Sequence, residues 1–128
     1  MLKNKYTNGK NTNFGADIEK KACQWLQRQG LTSLEVNYRC KTGEIDIIML
    51  DDQQLVFVEV RYRKSKLFGD GLESVDWRKQ QKLQKAAAHF LMVRTQFNQL
   101  PCRFDVIAAS PDRDSSLHWS WVKDAFTL

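Results

Sequence analysis

Cysteine is scarce in this chain, and what little there is does not form a pattern. Cys23, Cys40 and Cys102 are too few and too far apart for a disulfide framework or a zinc-ligand set, so a reducing cytoplasmic setting is expected. Histidine is scarcer still. His89 and His118 lie far apart, without metal spacing or a nucleophile beside them, and read as structural or surface residues. No apolar run approaches the roughly 18 residues that cross a bilayer, and the opening "MLKNKYTNGKNTNFG" has early lysines but no continuous apolar segment after them. Secretion and membrane insertion are therefore not expected. Internal repeats, low-complexity tracts and interdomain linkers are also lacking.

Acidic residues are in the minority. Fifteen Asp and Glu against twenty Lys and Arg leave a net charge of +5, which favours a polyanionic partner such as DNA or RNA. A length of 128 residues suits one domain with one core. Residues 1–13, rich in Asn, Lys and Thr, read as a flexible basic arm, and residues 14–128 as the domain.

Periodicity organises the rest. Phe14, Ile18, Ala22, Trp25 and Leu26 follow helical spacing up to a stop at Gly30, which predicts a first helix over 14–28. "TSLEVNYRC" predicts a short first strand before a break at Thr42 and Gly43. "GEIDIIML" and "LVFVEVRYR" predict a hairpin turning at "DDQQ". After the Gly-rich "LFGDGLES", Ser74 or Asp76 can cap a second helix running to about Arg94. "CRFDVIAAS" and "LHWSWVKD" then predict two more strands, separated by "PDRDSS".

The acids inside the hairpin are its unusual feature. Strict alternation puts Glu44, Asp46 and Ile48 on one face of the second strand, opposite Ile45, Ile47 and Met49. It likewise separates Glu59, Arg61 and Arg63 from Val56, Val58, Val60 and Tyr62. A two- or four-residue loop sets Asp46 across from Glu59 and Glu44 across from Arg61, whereas a three-residue loop would offset the pairing by one. Like charges about 5 Å apart on a half-buried face are destabilising. A divalent cation such as Mg²⁺ between the carboxylates would compensate. The bland alternative is a solvated face carrying a Glu44–Arg61 ion pair.

Two helical charges add to this. Glu19 falls within the first helix's apolar stripe, and Lys79 begins the apolar face of the second, while Lys82 and Lys85 fall nearer solvent. Either Glu19 or Lys79 could instead snorkel to water. Tyr62, Phe68 and Trp77 lie near the basic loop and could stack on unpaired bases or simply pack. Asp105 and Cys40 read as structural.

Taken together, "G-x-x-x-E" at Gly15 and Glu19, "GEIDII" at Gly43 to Ile48, "FVEV" at Phe57 to Val60 and "RFDVIA" at Arg103 to Ala108 resemble the YraN-type family of uncharacterised bacterial proteins. More broadly they resemble the PD-(D/E)xK nucleases. The resemblance spans nearly the whole chain from Phe14 to Phe126. It implies an α/β, restriction-endonuclease-like domain similar to archaeal Holliday-junction resolvases, with a mixed central sheet flanked by helices in the order αβββαββ. Such relatives often act as dimers.

The resemblance further implies a metal-dependent nuclease with Glu19, Asp46 and Glu59 in the site and Mg²⁺ or Mn²⁺ on Asp46, Glu59 and the Val60 carbonyl. Arg61 stands where the superfamily has lysine. Arg stays protonated at working pH, so it can clamp a phosphate but not exchange a proton. Lys79 would grip phosphate or position the nucleophile, and Arg63, Lys64, Lys66 and Lys82 would follow a nucleic-acid backbone. The rival expectations are a nucleic-acid-binding module with lost or weak catalysis and a protein-interaction adaptor using the same fold.

Overall fold

A computed structural model describes residues 12–64 and 75–126. Most of the expected basic arm, Lys66, Phe68, Ser74 and the Gly-rich loop lie outside the described residues. The elements are α1 (Thr12–Arg28), β1 (Thr32–Cys40), β2 (Gly43–Asp51), β3 (Gln54–Tyr62), α2 (Trp77–Val93), β4 (Cys102–Pro111) and β5 (Leu117–Phe126), with short 3₁₀ turns at Thr95–Phe97 and Arg113–Ser115. The first helix begins two residues earlier than its apolar stripe indicated. No helix among the described residues is long and apolar enough to cross a membrane.

The five strands form one mixed sheet in the order β1-β2-β3-β4-β5, in which only β3 and β4 run parallel. A helix covers each face. α1 buries Ile18, Ala22, Cys23 and Leu26 against Ile47, Met49, Val56, Val58, Val60, Ile107 and Ala109. α2 buries Leu83, Ala86, Ala87 and Phe90 against Ile45, Ile48, Leu55, Phe57, Phe104 and Val106. Burial on both faces explains why "VFVEV" and "VIAA" read as almost unbroken apolar runs.

Local chemistry ends the elements where the sequence suggested. Gly30 sits at φ 106°, its amide donates to the Gln27 carbonyl at 3.0 Å, and the Leu31 amide donates to the Leu26 carbonyl at 3.2 Å. These paired bonds are the Schellman closure, which needs a left-handed residue and so suits glycine. Asp76, rather than Ser74, caps α2 by accepting from the Lys79 amide at 2.8 Å. The hairpin turns at Asp52 and Gln53, with Asp52 at φ 55°, and its pairs from Asp51–Gln54 to Ile47–Val58 keep the expected register.

Beyond Ile47–Val58 three expectations fail, for one reason. Ile45 packs on the α2 side together with Ile48, whereas Ile47 and Met49 face α1, so Ile45, Ile47 and Met49 do not share a face. β2 loses its pleat at Asp46, whose carboxylate accepts the Val60 amide at 2.8 Å. On the other side, Asn37 of β1 sits at φ 53° between the pairs Val36–Ile47 and Tyr38–Ile45. The β2–β3 ladder stops here, so Asp46 is not a ladder partner of Glu59 and Glu44 does not meet Arg61. Glu44 pairs instead with Arg39 of β1, Oε2 to Nε at 3.5 Å, and Arg61 takes its place beside Ala108 of β4.

Gly43 brings the start of β2 against α2. A Cβ there would lie 2.9 Å from the Lys82 carbonyl oxygen and 3.3 Å from the Lys82 Cβ. Because the first neighbour is backbone, relief requires moving the strand or the helix. Gly43→Ala should cost about 1–3 kcal/mol, read as a lower urea midpoint with an unchanged slope. Wild-type stability in that variant would show that the two elements separate freely.

Candidate functional site

The α2 face of β3 changes character along its length. Leu55 and Phe57 are core residues, and two positions further on the same face presents Glu59 and then Arg61. Glu59 is only 3% exposed. An acid this buried needs partners. Arg61 provides one, its Nε 3.8 Å from Glu59 Oε2, and Lys79 of α2 provides another, its Nζ 3.8 Å from Glu59 Oε1.

Lys79 reaches the sheet because the start of α2 is tied down. Besides the Asp76 cap, the Gln80 amide donates to the Asp76 carbonyl at 2.9 Å and the Gln80 side-chain amide donates to the Val75 carbonyl at 2.7 Å. Val75 itself is buried in the α2-side core. A lysine three residues past the cap is thus set on a fixed helical turn.

Glu59, Arg61, Tyr62, Arg63, Asp76 and Lys79 line a cavity of about 310 Å³. Tyr62 is held edge-on to Phe14 of α1 with ring centroids 4.9 Å apart, so its ring braces the sheet against that helix. Asp46 adjoins this region from β2. It is 4% exposed, and its bond to the Val60 amide fixes its carboxylate at the point where β2 and β3 part.

The structure therefore gathers Glu59, Arg61, Arg63 and Lys79 around one cavity and ties Asp46 to the same stretch of β3. Glu19 is half-buried on α1, which packs on the opposite face of the sheet from Glu59. Lys64 and Lys82 are exposed to solvent. Sequence reasoning treated Asp76 only as a helix cap, although it also lines the cavity. Its spacing three residues ahead of Lys79 was the available signal.

The acidic groups here are the carboxylates of Asp46, Glu59 and Asp76. Such hard oxygens suit Mg²⁺, which is commonly held by one or two carboxylates and completes its shell with water. Among the described residues, no three His, Cys, Asp or Glu side chains gather into a larger metal set. Glu59's charge is also opposed by Arg61 and Lys79, so the chain itself partly balances the buried acids.

Away from this cavity, Asp105 is fully buried and accepts from Arg103 Nε at 3.0 Å, Trp121 Nε1 at 3.0 Å and the Asp124 amide at 2.9 Å. Its role is structural, joining β4 to β5.

Fold and site define a mixed α/β domain whose parallel strand pair carries a buried glutamate under a basic cavity, with a second buried acid alongside. The chain belongs to the family described as "Uncharacterised protein family UPF0102", whose model matches residues 18–109. It is similar to a UPF0102 protein of Alcanivorax borkumensis, 46% identical over 114 residues, covering 89% of this chain and 91% of that protein. A UPF0102 protein of Pseudomonas syringae pv. syringae is 49% identical over 112 residues, with coverages of 88% and 91%. Another, from Saccharophagus degradans, is 49% identical over 119 residues, with coverages of 93% and 97%. The YraN-type membership expected from the motifs is thereby shown, and the matched span includes Glu19, Asp46, Glu59 and Lys79.

Proposed function

We propose that this protein is a metal-dependent nuclease acting on nucleic-acid phosphodiesters, built on a restriction-endonuclease-like core of the PD-(D/E)xK kind. The supporting observation is Glu59, buried beneath the basic cavity with Lys79 and Arg61 each 3.8 Å from its carboxylate, beside the equally buried Asp46. Asp46, Glu59 and the Val60 carbonyl would hold Mg²⁺ or Mn²⁺. When bound, such an ion supplies activated water and charge stabilisation.

The chain's own residues do the rest. Arg61, permanently protonated, grips a non-bridging phosphate oxygen, and Lys79 offers a second positive charge from the helix side. Arg63, Lys64, Lys66 and Lys82 would follow the phosphate backbone, and no element among the described residues reads base edges, so recognition is independent of sequence in DNA or RNA. Branched or otherwise structured DNA is the favoured substrate.

The test is incubation of the full chain with end-labelled junction, flap and single-stranded oligonucleotides under Mg²⁺ or Mn²⁺, with Asp46→Ala as control. Cleavage by the wild type that the variant lacks is expected. Cleavage retained by Asp46→Ala, or absent on every substrate and either metal, overturns the nuclease reading.

A second reading, a nucleic-acid-binding module with little or no catalysis, is favoured by Arg61 standing in the motif lysine's place and by the pairing of Glu59 with two cations. Both readings require salt-sensitive binding. If Arg61, Arg63 and Lys79 each contact a phosphate, log K should fall against log salt with a slope of about −2 to −3. A flat salt dependence with no oligonucleotide affinity would point to a protein adaptor.

A further inference from the structure

Four tryptophans occur in the chain, and three of them are accounted for by packing. Trp25 lies against Trp119 and Trp121, at centroid distances of 6.3 and 5.9 Å, where α1 meets β5. Trp121 also donates its indole N–H to Asp105 at 3.0 Å. The fourth, Trp77, is 71% exposed and makes no ring contact among the described residues. A large, rigid, apolar side chain left in water contributes nothing to the core, so packing does not account for it.

Its place gives the indole a use. Trp77 is the first residue of α2, between the cap Asp76 and the basic pair Arg78 and Lys79, and both Asp76 and Lys79 line the cavity over Glu59. The capping bonds that hold Lys79 hold the Trp77 backbone too, so the indole projects into solvent from a fixed point at the start of the helix. Tyr62, the cavity's own aromatic, is committed to Phe14.

An exposed aromatic beside a cluster of cations is the chemistry that binds single strands: cations take the phosphates while the π-face takes a base. A fully paired duplex keeps its bases stacked on one another and offers the indole none. We infer that Trp77 is a base-stacking platform and that the ligand of this site is a nucleic acid with at least one unpaired base, reaching the solvent side of the start of α2 from the phosphate held by Arg61 and Lys79. This inference rests on the nucleic-acid reading of the cavity and names the substrate class within it.

The test is equilibrium binding by fluorescence anisotropy in EDTA, so that no cleavage intervenes, using one labelled sequence as a single strand, as a blunt duplex and as a duplex with a single-stranded flap. Wild type, Trp77→Ala and Trp77→Phe are compared after circular dichroism confirms that all three are folded. Trp77→Ala should lose about tenfold in affinity for the single strand and the flap while its duplex affinity changes less than about twofold, and Trp77→Phe should recover most of the loss. Equal losses on all three ligands, or no loss on the single strand, would overturn the stacking role, the latter leaving Trp77 as a contact for protein. If the wild type binds none of the three ligands, the nucleic-acid reading itself falls, and the inference with it.

Discussion

Asp105→Ala is expected to bring this protein close to unfolding. Asp105 is 0% exposed and takes the Arg103 guanidinium, the Trp121 indole N–H and the Asp124 amide, so its loss leaves three buried or half-buried donors without their acceptor. The largest penalty falls on Arg103, itself 8% exposed. Burial alone disfavours its cation, but the bonds to Asp105 and the contacts with Asp51 outweigh that and raise its pKa above the ordinary value. Without Asp105 the guanidinium keeps Asp51 at 2.9 Å and the Gln54 side chain at 2.9 Å, which compensate only in part.

Breaking a buried pair by removing one partner typically costs about 3–5 kcal/mol, against a total stability of about 5–15 kcal/mol for a domain. A thermal melt and a urea titration would measure the loss. A variant as stable as wild type would mean that β4 and β5 are held together by the aromatic contacts and the ladder alone.

Under the proposed nuclease reading, Glu59→Gln should have the largest effect on activity. The amide keeps the size and one acceptor oxygen of the carboxylate but carries no charge and is a poor ligand for a hard cation. Cleavage should fall by about a hundredfold or more, the scale on which a single electrostatic group at a reacting centre acts. Stability should change little, because Arg61 and Lys79 are 20% and 30% exposed at their side chains and can turn to water. The informative result is therefore a split: a near-native melting temperature with lost turnover. A variant that melts far below wild type would assign Glu59 to the fold, and one that cleaves normally would remove it from the site.

Most of the fold was legible because its signals are local. The 3.6-residue stripe ending at Gly30, the cap ahead of Lys79 and the turn "DDQQ" each act within a few residues. The near-continuous apolar runs of β3 and β4 anticipated strands buried on both faces. Reading β2 failed at one residue, since strict alternation assumes a regular pleat and Asp46 breaks it by binding the Val60 amide. Periodicity cannot register a side chain that replaces a ladder partner. The false Glu44–Arg61 pair followed from carrying the register past that point, when β1 supplied Arg39 instead.

The candidate site was legible in its residue types and only partly in its assembly. Acids at Asp46 and Glu59 within apolar strands, and Lys79 at the head of an apolar helical face, stand out because charges rarely sit there without a partner. That Lys79 and Arg61 both face Glu59 depends on how α2 lies on the sheet. Trp77 shows the same division. Its nearness to the basic residues was plain in the sequence, but packing and exposure looked equally open until the helix was in place.

By itself the sequence determined the elements, their order, the register of the hairpin as far as Ile47 and the membership in UPF0102, because propensity, capping and period act between near neighbours. Only the tertiary structure decided that Glu59 lies under a cavity between Arg61 and Lys79, that Asp46 turns into the gap between strands, and that one tryptophan of four faces water. Those outcomes depend on contacts between residues distant along the chain, which are set when two helices close on opposite faces of one sheet.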